Sequence, residues 1–331
     1  MSKDAGKKVR GKRSAPRGRP GRWLVGGLAA SAILLGAAYL LAVAPAASGA
    51  AKVERFMHIH GLEVPAWADG EVFVSTHMGL LRIDSEGEWY EVGDVKHDFM
   101  GFSAHPSEEG VLYSSGHPDL QSGLPNPIGF MVSRDAGASW EPLALTGTAD
   151  FHALAVQQTD GDVVYGFNVA GEAGLYRSLD GGHNWERVDS PDLLEVGGAL
   201  SLEVHPQDRE ALFAGTQAGL YYSGDGGRSW ENVALQSVPV TAVRFAPGGA
   251  GKLFVYGAHP EAGLLVSEDG GASWDAVGFV LDNNDAVGYI APHPEDEDIL
   301  YLGSYGQDLY RTTDGKESWQ TLAENGVPLR R

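Results

Sequence analysis

Cysteine is absent from all 331 residues. Its absence excludes disulfide staples, a lipid-modified cysteine anchor, thiolate zinc sites and thiol catalysis. Charged residues are sparse as well, at 21% of the chain, whereas glycine is abundant at 46 residues. That balance suits many short strands joined by tight turns rather than helices. No Gly-x-Ser-x-Gly elbow and no phosphate-binding loop occurs, so acyl and phosphoryl transfer have no motif behind them.

The net charge of -20 conceals two opposed parts. Residues 1–22 hold nine Lys or Arg and one Asp, leaving 15 basic and 43 acidic residues in the remainder. So acidic a body repels nucleic acid and anionic lipid, and no nucleic-acid partner is expected.

Long apolar runs are lacking too, with one exception. Trp23 to Val43 is uncharged over 21 residues, long enough to cross a hydrocarbon core as a helix. The basic flank stays inside by the positive-inside rule. The expected order is a basic cytoplasmic segment (1–22), a single-pass transmembrane signal anchor (23–44), a linker (45–55), a body outside the cytoplasmic membrane (56–325) and a C-terminal tail (326–331). The alternative is a cleaved signal peptide, for which Ala44, Ala46, Ser48 and Ala50 offer small residues. Either route places the body outside the cytoplasm, secreted if the signal is cleaved.

Within the body one pattern recurs. Ser133-Arg-Asp135-Ala-Gly137-Ala-Ser-Trp140 returns as Ser178 to Trp185, Ser223 to Trp230 and Ser267 to Trp274. Thr312 to Trp319 lacks the second glycine, and Asp84 with Trp89 keeps only the spacing. The aspartates Asp84, Asp135, Asp180, Asp225, Asp269 and Asp314 lie 51, 45, 45, 44 and 45 residues apart. A period near 45 is the size of a four-stranded propeller blade. The expected fold is all-β, a six-bladed β-propeller whose blades start near residues 56, 98, 149, 196, 239 and 285. First strands are expected over 61–64, 101–104, 153–156, 200–204, 241–245 and 288–291, and each sheet is read in a single pass.

This repeat is the Asp-box, and the chain resembles the BNR-repeat superfamily of sialidase-like propellers, which includes sortilin-like receptors and photosystem assembly factors. The resemblance covers residues 56–325. It implies that each box Asp accepts backbone N–H bonds in a turn, that Gly supplies positive φ, and that Trp140, Trp185, Trp230, Trp274 and Trp319 pack against the sheets. His58-Ile-His60-Gly-Leu and His97-Asp98-Phe-Met100-Gly-Phe also resemble a bacterial branch of these propellers labelled glycosylhydrolase.

Strand alternation sorts the eleven histidines between two faces. His105, His205 and His293 follow first strands in His-Pro turns and His183 lies inside a box, so these four fall on the Asp-box face. His58, His60, His77, His97, His117, His152 and His259 fall on the other, where this superfamily usually binds ligands. Blades one and two hold five of them, together with Asp98 and Met100. In a strand His58 and His60 point to one side, as two ligands of one ion should. His58, His60, His77, His97, Asp98, Met100 and His117 are therefore the candidate metal ligands, for zinc or, with a thioether nearby, copper. The competing readings are a polar carbohydrate or peptide pocket and packed channel residues. An enlarged connection, Gly116 to Ile128, lies on the same face as a potential lid. Asp282-Asn-Asn-Asp285 reads as a solvated turn, without the spacing of a calcium loop.

A sialidase needs arginines to clamp a carboxylate. Arg82, Arg134, Arg177, Arg228 and Arg311 stand at the boxes and Arg209 follows a first strand, leaving Arg55 and Arg244 as the two that can approach the other face. Sialidase activity is not expected. Other glycosidases require two carboxylates; Asp98, Asp119, Glu172, Glu261 and Asp285 are available, with Asp98 the candidate catalytic residue. The leading expectation is a membrane-anchored propeller that holds copper or zinc for metal handling or envelope assembly. The alternatives are a glycoside hydrolase acting on a glycan at that face, and a scaffold for an envelope protein.

Overall fold

The computed structural model describes residues 52–248, 251–282 and 284–329. The anchor expected over 23–44 lies outside them, and among the described residues no helix is long and apolar enough to cross a membrane.

Six antiparallel sheets follow one another along the chain, each built from consecutive strands. Their innermost strands are β1 (Ile59–Glu63), β5 (Asp98–Ala104), β9 (Phe151–Gln157), β13 (Ser201–Val204), β17 (Val240–Phe245) and β21 (Val287–Pro292). The innermost strands of blades one, two and three begin two or three residues earlier than the alternation predicts. That extension places His60, Asp98 and His152 within strands. Two elements were not foreseen: a one-turn helix α1 (Pro191–Glu195), and a short fifth strand in blade six (Val327–Pro328) within the segment read as tail.

No sheet shares strands from both chain ends, in line with the single-pass reading. The ring closes through loop hydrogen bonds and apolar packing. Phe56 N–H donates to the Gly326 carbonyl at 2.8 Å, and the Arg55 guanidinium donates to the Asn325 carbonyl at 3.1 Å. Lys52 bridges to Tyr90 on the outer edge of blade one, and Phe56 stacks on Trp89 with ring centroids 5.3 Å apart. Beneath that seam Ile59, Leu62 and Val74 of blade one share a core with Ala291, Leu309 and Leu322 of blade six.

The Asp-boxes fasten neighbouring blades. Asp135 Oδ1 accepts the Ser139 N–H at 2.8 Å, and the Trp140 indole donates to the Gly137 carbonyl at 3.1 Å. Asp180, Asp225, Asp269 and Asp314 accept the equivalent N–H bonds. The second glycine of each intact box packs on the preceding blade. A Cβ at Gly137 would collide with Leu80, at Gly182 with Phe130 and at Gly227 with Leu175. Blade six replaces that glycine with Lys316, which still adopts φ 83° and lays its ammonium over the Phe254 ring of blade five at 5.4 Å. The Trp185 ring stacks on Phe151 and meets Phe130 edge-on. Trp140 packs on Phe99 and Trp319 on Phe279. Trp230 is buried, its indole shared between Ser190 and Gly227, and Trp274 packs beside the core of Phe213 and Phe245.

Candidate metal centre

Local sequence aims three imidazoles at one point. Thr76 and Gly79 form a tight turn between β2 (Val72–Thr76) and β3 (Gly79–Ile83), in which Thr76 Oγ1 donates to the Gly79 carbonyl and accepts the Met78 N–H. His77 rides on that turn, its N–H given to the Met57 carbonyl at 3.3 Å. The next blade fastens the same turn, since Gly79 N–H donates to the His97 carbonyl at 2.9 Å. His58 adopts φ 37°, a left-handed conformation for a residue with a Cβ, which costs on the order of 1–3 kcal/mol and is typical of residues held for a function.

The rings of His58, His60 and His77 form a near-equilateral triangle. Centroids are 6.1 Å (58–60), 6.0 Å (58–77) and 6.0 Å (60–77) apart. One nitrogen from each lies within 4.8 Å of the others, a spacing that suits three ligands of one ion. Asp98 of blade two spans two of them: Oδ1 lies 2.9 Å from His60 Nδ1, and Oδ2 lies 2.9 Å from His77 Nδ1. His60 Nδ1 and Asp98 Oδ1 are buried, and their close contact lacks the alignment of a hydrogen bond. The carboxylate thus sits against Nδ1 of both His60 and His77, a placement common behind imidazole ligands of metals.

Burial alone would raise the Asp98 pKa. The contact with His60 and the imidazoles of His60, His77 and His117 outweigh it, and the carboxyl is held below its ordinary range. Asp98 is therefore an ionised carboxylate held between two imidazoles.

The other candidates divide. His97 is buried, its Nδ1 accepting the Asp119 N–H at 2.9 Å and its ring set edge-on to Phe99. Burial also lowers its pKa, and it joins neither group of potential ligands. Met100 lies two residues beyond Asp98 in β5, its side chain packed towards Gly116. His117 faces Asp98 across the pairing of β5 with β6 (Leu112–His117) but turns to a separate group, with Asp150 and His152. Sequence reasoning left Asp150 unnamed; its place between two same-face histidines was the available signal. His259 caps a turn, its Nδ1 accepting the Glu261 N–H. His105, His205 and His293 make the same kind of contact in their His-Pro turns.

Neither arginine left for a carboxylate clamp is available to one. Arg55 is committed to the closing turn, and Arg244 is held in the central channel by Glu63 at 2.7 Å and Glu203 at 3.8 Å. Glu63 and Arg244 line a cavity of about 220 Å³ with His105, Pro106 and Pro206, residues of the His-Pro turns on the Asp-box side. Asp285 Oδ1 accepts the N–H groups of Ala286 and Gly306, a turn-capping role.

Fold and site together define an Asp-box β-propeller with a histidine triad on one rim. A sortilin/neurotensin receptor 3 family model matches residues 129–251. No curated protein matches the sequence. Among solved structures the chain is similar to the GH74 xyloglucanase of Xanthomonas campestris (20% identity, TM-score 0.56, 83% of this chain and 46% of that one). It is also similar to the Niastella koreensis GH74 enzyme (15%, TM-score 0.59, 83% and 46%). A third likeness is to the extracellular domain of a hybrid two-component system, BT4673, from B. thetaiotaomicron (14%, TM-score 0.53, 81% and 33%). The chain spans less than half the length of these proteins, and at such identities the likeness is one of fold. The expected resemblance to BNR-type propellers stands.

Proposed function

We propose that this protein is a propeller tethered outside the cytoplasmic membrane that binds a transition-metal ion through His58, His60 and His77, with Asp98 orienting the imidazoles, in metal handling or envelope assembly. The observation that carries the reading is the triangle of three imidazoles with a buried carboxylate behind two of them. Three neutral nitrogens with an open fourth position suit zinc or copper. The methionines favour copper: Met57 and Met78 are exposed beside His58 and His77, and Met100 follows Asp98. Soft thioethers at an entrance select cuprous ion. The tether rests on the uncharged run Trp23 to Val43 behind its basic flank.

Metal content of the full chain, by mass spectrometry before and after loading with copper or zinc, tests the reading. The expected result is bound metal, with one ion per chain lost in the His58→Ala/His60→Ala/His77→Ala variant. Equal metal in the variant and the parent, or none in either, would overturn it.

A further inference from the structure

We infer that His117, Asp150 and His152 form a second metal site on the same rim, for a divalent ion of the zinc class. The inference extends the metal-binding reading of the first site but rests on different residues.

The donors come from two blades. His117 ends β6 (Leu112–His117), Asp150 immediately precedes β9, and His152 is its second residue. One ligand atom from each lies within 4.8 Å of the others. Asp150 is buried, whereas the two imidazoles remain about two-fifths exposed, which leaves room for an ion to enter and for water ligands to complete its shell.

Hydrogen bonding points the His117 lone pair inward. His117 Nδ1 lies 2.8 Å from Asn126 Oδ1, an acceptor, so Nδ1 carries the proton and Nε2 presents a lone pair. That Nε2 sits 3.5 Å from Asp150 Oδ2, and His152 Nε2 is hydrogen-bonded to the same oxygen at 3.0 Å, a contact that a bound ion would replace. Lone pairs of an imidazole and a carboxylate then face each other across a space that calls for a cation. The second carboxylate oxygen, Asp150 Oδ1, is buried with no hydrogen-bond partner. Position is well defined, because Asp150 N–H donates to Asn168 Oδ1 and its carbonyl accepts the Val169 N–H. Two imidazoles and one carboxylate form a donor set used for zinc and other divalent transition ions. The enlarged connection Gly116 to Ile128 thereby gains a role: it supplies Asn126, which sets the tautomer of a ligand.

Loading the full chain with zinc alone and counting zinc per chain after removal of excess tests the site. Two ions are expected in the parent and one in each of Asp150→Asn and His117→Gln. Asn126→Ala should retain the second ion with affinity about 10–100-fold weaker. His117 is partly exposed, so His117→Gln keeps the test valid if Asp150→Asn fails to fold. Parent-level zinc in both His117→Gln and a folded Asp150→Asn would show an ion pair only and overturn the proposal. Loss of all zinc in Asp150→Asn and His117→Gln, with no effect of the His58/His60/His77 substitutions, would sustain this site and overturn the first. A parent that takes up no zinc overturns this proposal outright.

Discussion

Asp98 Oδ1 lies 2.9 Å from His60 Nδ1, across the seam between blade two and blade one. The carboxylate and the imidazole are 38 positions apart in the chain, and each occupies the innermost strand of its own blade. The contact therefore exists only when the two blades are packed. Metal binding at the triad is accordingly expected to depend on that seam.

Asp98→Asn keeps the size of the side chain and removes the charge that fixes His60 and His77. Affinity at the triad should fall about 10–100-fold, with the melting temperature of the metal-free chain little changed. Competition titration against a chelator of known affinity measures the first, and calorimetry the second.

Gly116→Ala tests the backbone behind both sites. Gly116 adopts φ 121°, and a Cβ there would collide with the Asp98 carbonyl. Strain and overpacking together should cost about 1–3 kcal/mol in urea unfolding. Displacement of Asp98 should also weaken the triad, an effect absent from Gly123→Ala, where a Cβ meets nothing within 4 Å.

The channel cluster predicts a pH dependence. Burial pushes Glu203 up to about 7 against the opposing charge of Arg244, and burial raises Glu63 as well. An acid with a raised folded pKa binds its proton more tightly in the folded state, so its contribution to stability declines as pH rises from about 4.5 to about 7. Glu203→Gln should reduce that slope in a plot of melting temperature against pH, leaving the part due to Glu63. Arg244→Met leaves two carboxylates buried and should cost about 3–5 kcal/mol, less at pH 5 than at pH 8.

The Asp-boxes predict the reverse behaviour in acid. Hydrogen bonds from the Ser273 and Ser318 hydroxyls, then from backbone N–H groups, hold Asp269 and Asp314 near pKa 2. Burial pushes Asp225 up, but the Ser229 hydroxyl and backbone bonds still bring it to about 2. Their stabilisation is complete above the ordinary value of 3.8 and is lost as pH falls through about 2. Asp269→Ala should lower the neutral melting temperature and flatten the acid transition followed by circular dichroism.

The fold was legible because a blade is a local unit. Its strands, turn residues and box recur every 45 residues or so, and period-two alternation alone assigns each histidine to a rim. Hence the six blades, the single-pass sheets and the separation of His-Pro turns from the other histidines all follow from one-dimensional pattern. Convergence did not, because distance on a rim depends on strand starts, turn geometry and packing between blades. His97 and Asp98 are neighbours in the chain, yet one is sealed beneath the Asp119 loop and the other spans two imidazoles. Likewise His117 looked like a member of the first group, and tertiary packing gave it to Asp150 and His152 in blade three. Local chemistry determined the blades and the faces; only the closed ring, by setting blade against blade, decided which side chains come together.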